Sequence, residues 1–185
     1  MLYKIEVKDK TGIFDAVGAG VKSDILDFGI KRVKRVRFIQ VYTIEGDLSK
    51  EQVKRICAEL LVDKICKNYS INPAAAETQK DKFIVEVSYN PGVMDPVEES
   101  TLKGVRDLGI GDVQSVKTAK KYIIQGKLSA AQLRTICEKL LYNKLIQHIV
   151  KPKIGTVPFG DSPYFRRVRN DSHCDCINLG YQFNL

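Results

Sequence analysis

The chain has 185 residues, of which 44% are hydrophobic and 28% are charged, and its net charge is +8 at pH 7. This composition is that of an ordinary globular protein, and it excludes a collagen-like or low-complexity chain. No run of about 18 apolar residues occurs, so we predict no membrane-spanning helix. The opening residues also lack the apolar stretch of a signal peptide, and we therefore expect a cytoplasmic protein.

The first predicted elements are a strand, a helix and a second extended region. Residues 3–8 alternate between apolar and polar side chains, which indicates a half-buried strand. Asp15 is placed to cap a helix that stops at Gly29, a residue suited to a left-handed helix end. Residues 32–45 are rich in β-branched and aromatic residues, which favours strands. We expect a hairpin of two strands there, with one long bent strand as the alternative.

A second helix is predicted to begin after Ser49. Ser49 and Gln52 form the pattern of a capping box. The apolar residues that follow recur on one helix face: Val53, Ile56, Cys57, Leu60 and Leu61. With a closing strand at residues 65–71, the order of elements is β-α-β-β-α-β. This is a ferredoxin-like α+β unit, with helices on one face of an antiparallel sheet.

The same elements are then predicted a second time. Residues 3–71 align on residues 83–151 without a gap, and the aligned positions share turn glycines, capping residues and apolar helix faces. We therefore divide the chain into repeat one (1–72), a linker (73–81) and repeat two (82–151). A unit of about 70 residues buries too little of its surface to be stable on its own. We expect the two ferredoxin-like repeats to pack together as an intramolecular pseudo-dimer.

Residues 152–185 differ in character, because prolines, glycines and aromatic residues replace the regular patterns. We predict an irregular tail or a linker to a further domain. The segment contains the one dense group of metal-ligand side chains, His173-Cys174-Asp175-Cys176. A lone Cys-x-Cys lacks the second ligand pair that zinc sites usually have, so we expect no metal on this chain.

Basic residues are concentrated at the start of the extended region of repeat one, with a weaker group at the equivalent place in repeat two. Such a cluster is either a solvated strand face or the footprint of an anionic partner. The candidate partner-binding residues are Lys34, Arg35, Arg37, Lys117 and Lys120.

We recognise no group of catalytic residues in this sequence. There is no glycine-rich phosphate loop, and neither of the two histidines belongs to a nucleophile–base pair. We expect a structural role for His148, and Glu98 and Glu99 fit the first turn of a helix, where the dipole favours acidic residues. The aromatic and glycine pattern by which RNA-binding domains of this topology stack bases is missing from residues 36–42.

One resemblance rests on an ordered set of segments in repeat two: Phe83-Ile84-Val85-Glu86-Val87, Pro91-Gly92-Val93-Met94-Asp95-Pro96, Leu108-Gly109, Val113-Gln114-Ser115-Val116-Lys117, Lys120 and 137–146. With these segments the repeat resembles the PurS family, the small subunits of phosphoribosylformylglycinamidine synthase. Repeat one is similar, but has Asp15-Ala16 in place of Asp-Pro. The resemblance covers about residues 1–151.

The resemblance implies a non-catalytic subunit or domain of that ligase in de novo purine (IMP) biosynthesis. It would bridge an ATP-dependent synthetase (PurL-like) and a glutaminase (PurQ-like), with no activity alone. No cofactor is expected on this chain, because ATP and Mg belong to the partner synthetase. Whether the chain is a standalone subunit or part of a large synthase, and whether it forms a further homo-oligomer, stay open. An RNA-binding or small-molecule-sensing regulatory module is the alternative.

Overall fold

The computed structural model describes residues 1–74 and 81–150, so the tail at 152–185 and most of the linker lie outside the described residues. Repeat one forms β1 (Leu2–Asp9), α1 (Ala16–Asp27), β2 (Val33–Gly46), α2 (Lys50–Ile56), the π-helical turn π1 (Cys57–Leu61) and β3 (Lys67–Ile71). Repeat two forms β4 (Lys82–Tyr89), α3 (Pro96–Asp107), β5 (Val113–Gly126), α4 (Ala130–Ile136), the π-helical turn π2 (Cys137–Leu141) and β6 (Gln147–Val150). Among these helices, none is long and apolar enough to cross a membrane.

The predicted helix starts are confirmed in both repeats. Asp15 accepts a hydrogen bond from the Gly18 amide, and the equivalent Asp95 accepts one from the Val97 amide. Ser49 and Gln52 form a complete capping box, as do the equivalent residues of repeat two. These local bonds satisfy amide groups that helix geometry leaves without a partner.

Each extended region is a single strand of 14 residues, so the expected hairpin does not form and the long-strand alternative is the one observed. The region contains no Asn-Gly or Asp-Gly pair that would favour a tight turn. In addition, β2 and β5 pair with each other over their whole length. A long strand therefore finds its hydrogen-bonding partner in the other repeat and does not need to fold back on itself.

All six strands belong to one antiparallel sheet in the order β3-β1-β2-β5-β4-β6. Gln40 of β2 is paired with Lys120 of β5, and these two residues occupy equivalent positions in the two repeats. A pseudo-two-fold axis therefore passes between them. The predicted fold class, an α+β pseudo-dimer of tandem ferredoxin-like repeats, is confirmed.

The two repeats exchange parts of their structure. Strand β1 pairs only with the second half of β2, from Leu2 opposite Glu45 to Val7 opposite Gln40. On the other side of that half of β2 lies the first half of β5. This is the place that a hairpin strand of repeat one would otherwise occupy. Each ferredoxin-like unit is therefore completed by the opposite repeat.

The hydrophobic interior follows the same exchange. The first core combines residues of repeat one, such as Ile5 and Ile56, with Val105 and Val116 of repeat two. The second core has the reverse composition, with residues such as Ile25 contributed to the interior of repeat two. Burying one such side chain stabilises the fold by about 1.5–3 kcal/mol. Separating the repeats would therefore expose both cores.

The ends of the two long strands approach the opposite repeat at glycines. A Cβ atom on Gly46 would lie 2.3 Å from the carbonyl oxygen of Asp112. A Cβ atom on the equivalent Gly126 would lie 2.3 Å from the carbonyl oxygen of Arg32. Only glycine permits so close an approach between backbones.

Candidate partner-binding surface

Within residues 1–74 and 81–150, helices cover one face of the sheet and none covers the other, which we call the helix-free face. Side chains alternate between the two faces along a strand. Val36 and Phe38 of β2 pack in the second core, so Arg35 and Arg37 project on the helix-free face. By the same alternation, Lys82 of β4 projects on that face, because Phe83 packs in the core.

A small apolar cluster and two ion pairs occupy the centre of the helix-free face. The cluster consists of Ile39, Val41 and Ala119, with Ile123 packed against it. The Nζ atom of Lys121 lies 2.6 Å from Oε1 of Glu6, and these side chains are only 11% and 9% exposed. The Nζ atom of Lys4 lies 2.8 Å from Oε1 of Glu86, in a more exposed position. Each ion pair joins repeat one to repeat two, which gives this region a structural role.

The two glutamates occupy equivalent positions, but their lysines do not. Lys121 stands where repeat one has Val41, and Lys4 stands where repeat two has Ile84. Sequence reasoning missed these pairs. The available signal was a glutamate that is kept in both repeats, in the middle of an apolar–polar alternation, at Glu6 and Glu86.

Three of the five candidate partner-binding residues lie together at the start of β2. Lys34 and Arg35 are exposed, and Arg37 is half-buried. Arg35 lies opposite Gln125, which in turn lies opposite Lys82. The structure therefore adds Lys82 to the group, although it comes from the other repeat and no sequence pattern connects it with β2.

The other two candidates are separate from this group. Lys117 is equivalent to Arg37 and precedes Ile123, the partner of Arg37, by six residues. Six residues of strand span about 20 Å, so the two side chains belong to opposite ends of the sheet. Lys120 lies on the helix-covered side, opposite Gln40 on the pseudo-two-fold axis. The five residues thus do not form one continuous surface.

The two equivalent ends of the long strands differ in charge. We call the end at the start of β2 the basic corner, which consists of Arg35, Arg37 and Lys82 on the helix-free face and of Lys31, Arg32 and Lys34 nearby in sequence. Within residues 1–74 and 81–150, no member of the basic corner forms an ion pair.

At the equivalent end, which we call the neutral corner, the positions are occupied by Gly111, Asp112, Gln114, Ser115, Lys117 and Leu2. The hydroxyl of Ser115 donates to Glu45 over 3.2 Å, and Lys117 pairs with Glu98 at 2.9 Å. The positive charge of Lys117 is therefore offset, and this corner carries no cluster of free cations among the described residues.

The aspartates at the helix starts connect the first helices to the long strands through hydrogen bonds. Besides its capping bond, Asp15 accepts from the Phe38 amide over 2.7 Å. Asp95 is buried and accepts from the hydroxyl of Thr118, at the position equivalent to Phe38. A small cavity beside Asp95 is lined by residues of both repeats, among them Gln40 and Thr118. Since both carboxyl oxygens of Asp95 already accept hydrogen bonds, a structural role accounts for this residue.

The described cysteines do not have the properties of nucleophiles. Burial raises the pKa of Cys57 to about 11 and that of Cys137 to about 12, so both thiols are protonated at neutral pH. The thiol of Cys66 donates to Asp63, and this hydrogen bond is the main reason that its pKa is raised. Cys174 and Cys176 lie outside the described residues.

No metal-binding cluster is found in the part of the chain that the structure describes. There, no group of three or more His, Cys, Asp or Glu side chains is arranged to hold a metal ion. His148 is exposed, and its Nδ1 atom lies 3.1 Å from the side-chain oxygen of Asn90 on the neighbouring strand segment. His173 lies outside the described residues.

Comparison with known proteins gives one family match. The PurS family, described as "Phosphoribosylformylglycinamidine (FGAM) synthase", matches residues 2–75 and again residues 82–151. The two matches fall on the two repeats and together span most of the chain. A search of curated proteins finds no match.

Proposed function

Because the chain belongs to the PurS family of FGAM synthase, with one copy of the family domain in each repeat, we propose that it is a non-catalytic subunit or domain of this enzyme. Membership in the family gives the chain a role in FGAM synthase and in purine biosynthesis, in association with components of that enzyme. Its proposed task is to bridge the ATP-dependent synthetase and the glutaminase. ATP and Mg²⁺ would bind to the synthetase, and the assembly would work in the cytoplasm.

The observation that carries the proposal is the duplication of the family domain in one interlocked body. Two matched copies share both hydrophobic cores and a central pair of strands. A body of this kind resists separation of its halves, and a rigid spacer needs this property. The buried, protonated thiols and the fully bonded aspartates supply no nucleophile or general base.

The pseudo-two-fold arrangement also supports a bridging role. Equivalent surfaces lie at opposite ends of the sheet, about 20 Å apart along the long strands. Lys34, Arg35 and Arg37 lie at one end, whereas Lys117 lies at the other and Lys120 on the helix-covered side. We assign these residues to contacts with partner proteins, so that two different components could be held by one chain.

Reconstitution tests the proposal. The chain is mixed with a PurL-like synthetase and a PurQ-like glutaminase, and FGAM formation is measured with ATP, Mg²⁺ and either glutamine or free ammonia. We expect no turnover by the chain alone and glutamine-dependent turnover only when all three components are present. Ammonia-dependent turnover should need the synthetase but depend little on the bridge. Full glutamine-dependent activity without this chain, or turnover by the isolated chain, would refute the proposal.

A further inference from the structure

We infer that the basic corner binds an acidic segment of one partner protein, and that each chain offers one such site. The inference rests on the proposed assembly role and specifies the partner surface more closely. It starts from the contrast between the two corners. The fold repeats the same backbone at both, whereas the free positive charge occurs at only one of them.

The contrast is not explained by protection of exposed strand edges. Among the described strands, none pairs with the outer side of the first half of β2 or of β5, because β1 and β4 pair only with the second halves. Lysine and arginine on an open edge hinder unwanted strand pairing. The two edges are equally open, and protection would therefore place similar charges at both. The start of β2 carries a cluster of unpaired cations, whereas the first half of β5 has Lys117, which is paired with Glu98. This difference points to a ligand.

The side chains of the basic corner match carboxylates. Arg35 and Arg37 carry planar guanidinium groups, which bind a carboxylate through two parallel hydrogen bonds. Lys82 lies in the same cross-strand row as Arg35, on the same face of the sheet. Arg35 and Lys82 are two strand spacings apart, about 10 Å. Unpaired cations at this separation repel one another, and an anionic segment that lies across them would relieve the repulsion.

The same surface is poorly suited to RNA. Proteins that bind single-stranded RNA stack bases on exposed aromatic rings, between positive charges. The aromatic residues of the long strands are Phe38, Tyr42 and Tyr122, and all three pack on the helix-covered side. The helix-free parts of β2 and β5 thus offer charge without a stacking platform. An acidic polypeptide fits this chemistry better than a nucleic acid does.

The first experiment replaces two basic residues of the basic corner with the residues found at the equivalent positions of the neutral corner. In the full chain, Lys34→Gln and Arg35→Ser are combined, which copies Gln114 and Ser115 into the basic corner. Both positions are exposed and outside the ion pairs, so the melting temperature should not change. Short polyglutamate is the probe, and calorimetry measures affinity and stoichiometry. We expect one peptide per wild-type chain, affinity that falls with salt, and at least about tenfold weaker binding to the variant.

The second experiment builds the site at the other end. Leu2→Lys, Glu45→Gln, Gln114→Lys and Ser115→Arg together reproduce the row of Lys82, Gln125 and Arg35 in the neutral corner. The expected stoichiometry rises from one to two peptides per chain. An unchanged stoichiometry, or equal binding of polyglutamate to the wild type and the charge-removal variant, would overturn the inference. Tighter binding of single-stranded polyuridine than of polyglutamate would also overturn it.

Failure of this inference can be separated from failure of the proposed function. If the charge-removal variant binds polyglutamate as tightly as the wild type and supports glutamine-dependent turnover at wild-type component concentrations, the acidic-segment site is wrong. The assignment of Lys34 and Arg35 to a partner contact is then wrong as well, whereas the assembly role stands. If the wild-type chain itself fails to support glutamine-dependent turnover, the assembly role is wrong, whatever the peptide binds.

Discussion

The second helices of the two repeats are closely alike where they are buried, whereas the long strands differ near the pseudo-two-fold axis. Ile56 and Cys57 are as deeply buried as their equivalents in repeat two. On the strands, by contrast, Val41 is equivalent to a lysine and Phe38 to a threonine. A helix residue packs in only one core, where its environment is the same in either half. A residue at the axis faces the other repeat, so a change on one strand can be compensated on its partner.

Removing the buried lysine should have the largest effect. Lys121→Met leaves the carboxylate of Glu6 without its ion-pair partner in a nearly closed site, and we expect a loss of about 3 kcal/mol in the free energy of unfolding. Lys4→Met removes the partner of the equivalent Glu86 from a more exposed site, and about 1 kcal/mol or less should be lost. Denaturant unfolding measures both losses.

A second substitution should restore part of the stability that Lys121→Met removes. Ile84 is equivalent to Lys4, so in the Lys121→Met background Ile84→Lys should place an ammonium group near Glu6 and recover part of the stability. In the wild-type background, Ile84→Lys should give no gain, because Glu6 is already paired. Equal losses from Lys121→Met and Lys4→Met would show that burial does not distinguish the two ion pairs.

The first helices differ in how closely they approach the strand edge. A Cβ atom on Gly18 would lie 2.6 Å from the carbonyl oxygen of Val36, so Gly18→Ala should cost about 1–3 kcal/mol in unfolding free energy. The equivalent residue of repeat two is Glu98, and Glu98→Ala removes only an ion pair with the exposed Lys117. That change should cost less than about 1 kcal/mol. A larger loss from Glu98→Ala than from Gly18→Ala would contradict the structure.

The second helices should respond equally, because their capping boxes are the same. Ser49→Ala and Ser129→Ala each remove a side-chain acceptor for the amide at the third helical position. We expect each change to lower the free energy of unfolding by about 1 kcal/mol. Thermal melting of the two variants gives the comparison, and a large difference between them would mean that the two helix starts are not equivalent.

The smallest effect at neutral pH concerns the buried thiols, whose contribution changes only in alkali. Unfolded thiols lose their protons near the ordinary pKa of 9.0, whereas burial holds the pKa of Cys57 at about 11 and of Cys137 at about 12. Unfolding therefore releases protons above pH 9. The stability linked to these thiols is complete below pH 9 and is lost as pH rises through 11 and 12.

Two observations check the thiol prediction. The alkaline loss of stability should be weaker in the variant Cys57→Ala/Cys137→Ala than in the wild type. At pH 7, iodoacetamide should modify Cys57 and Cys137 only after unfolding, as mapped by peptide mass spectrometry. Rapid modification of either thiol in the folded protein would contradict its burial.

Local sequence patterns predicted much of the fold, because caps and helix faces depend on residues close together in the chain. Asp15, Ser49 and the apolar stripe behind it make bonds and contacts that their spacing already implies. The long strands were harder to predict, since the absence of a turn in residues 32–45 is decided by pairing with β5, far away in sequence. The lysine partners of Glu6 and Glu86 could not be predicted for the same reason.

The candidate surface was predicted in part. The charges of Lys34, Arg35 and Arg37 lie within four consecutive positions of the sequence, at the start of one strand. Lys117 forms an ion pair with α3 at the opposite end of the sheet. Lys82 joins the basic corner through two steps of strand pairing, which only the register reveals.

Crosslinking between α3 and the π-helical turns tests the exchange of structure between repeats most directly. A Cβ atom on Gly104 would lie 2.6 Å from a methyl carbon of Leu60, in the opposite repeat. The pair Gly104→Cys/Leu60→Cys should therefore form a disulfide under mild oxidation, as shown by peptide mapping. The pair Gly104→Cys/Leu140→Cys, which lies within repeat two, should not. A disulfide in the second pair but not in the first would mean that each repeat folds on itself.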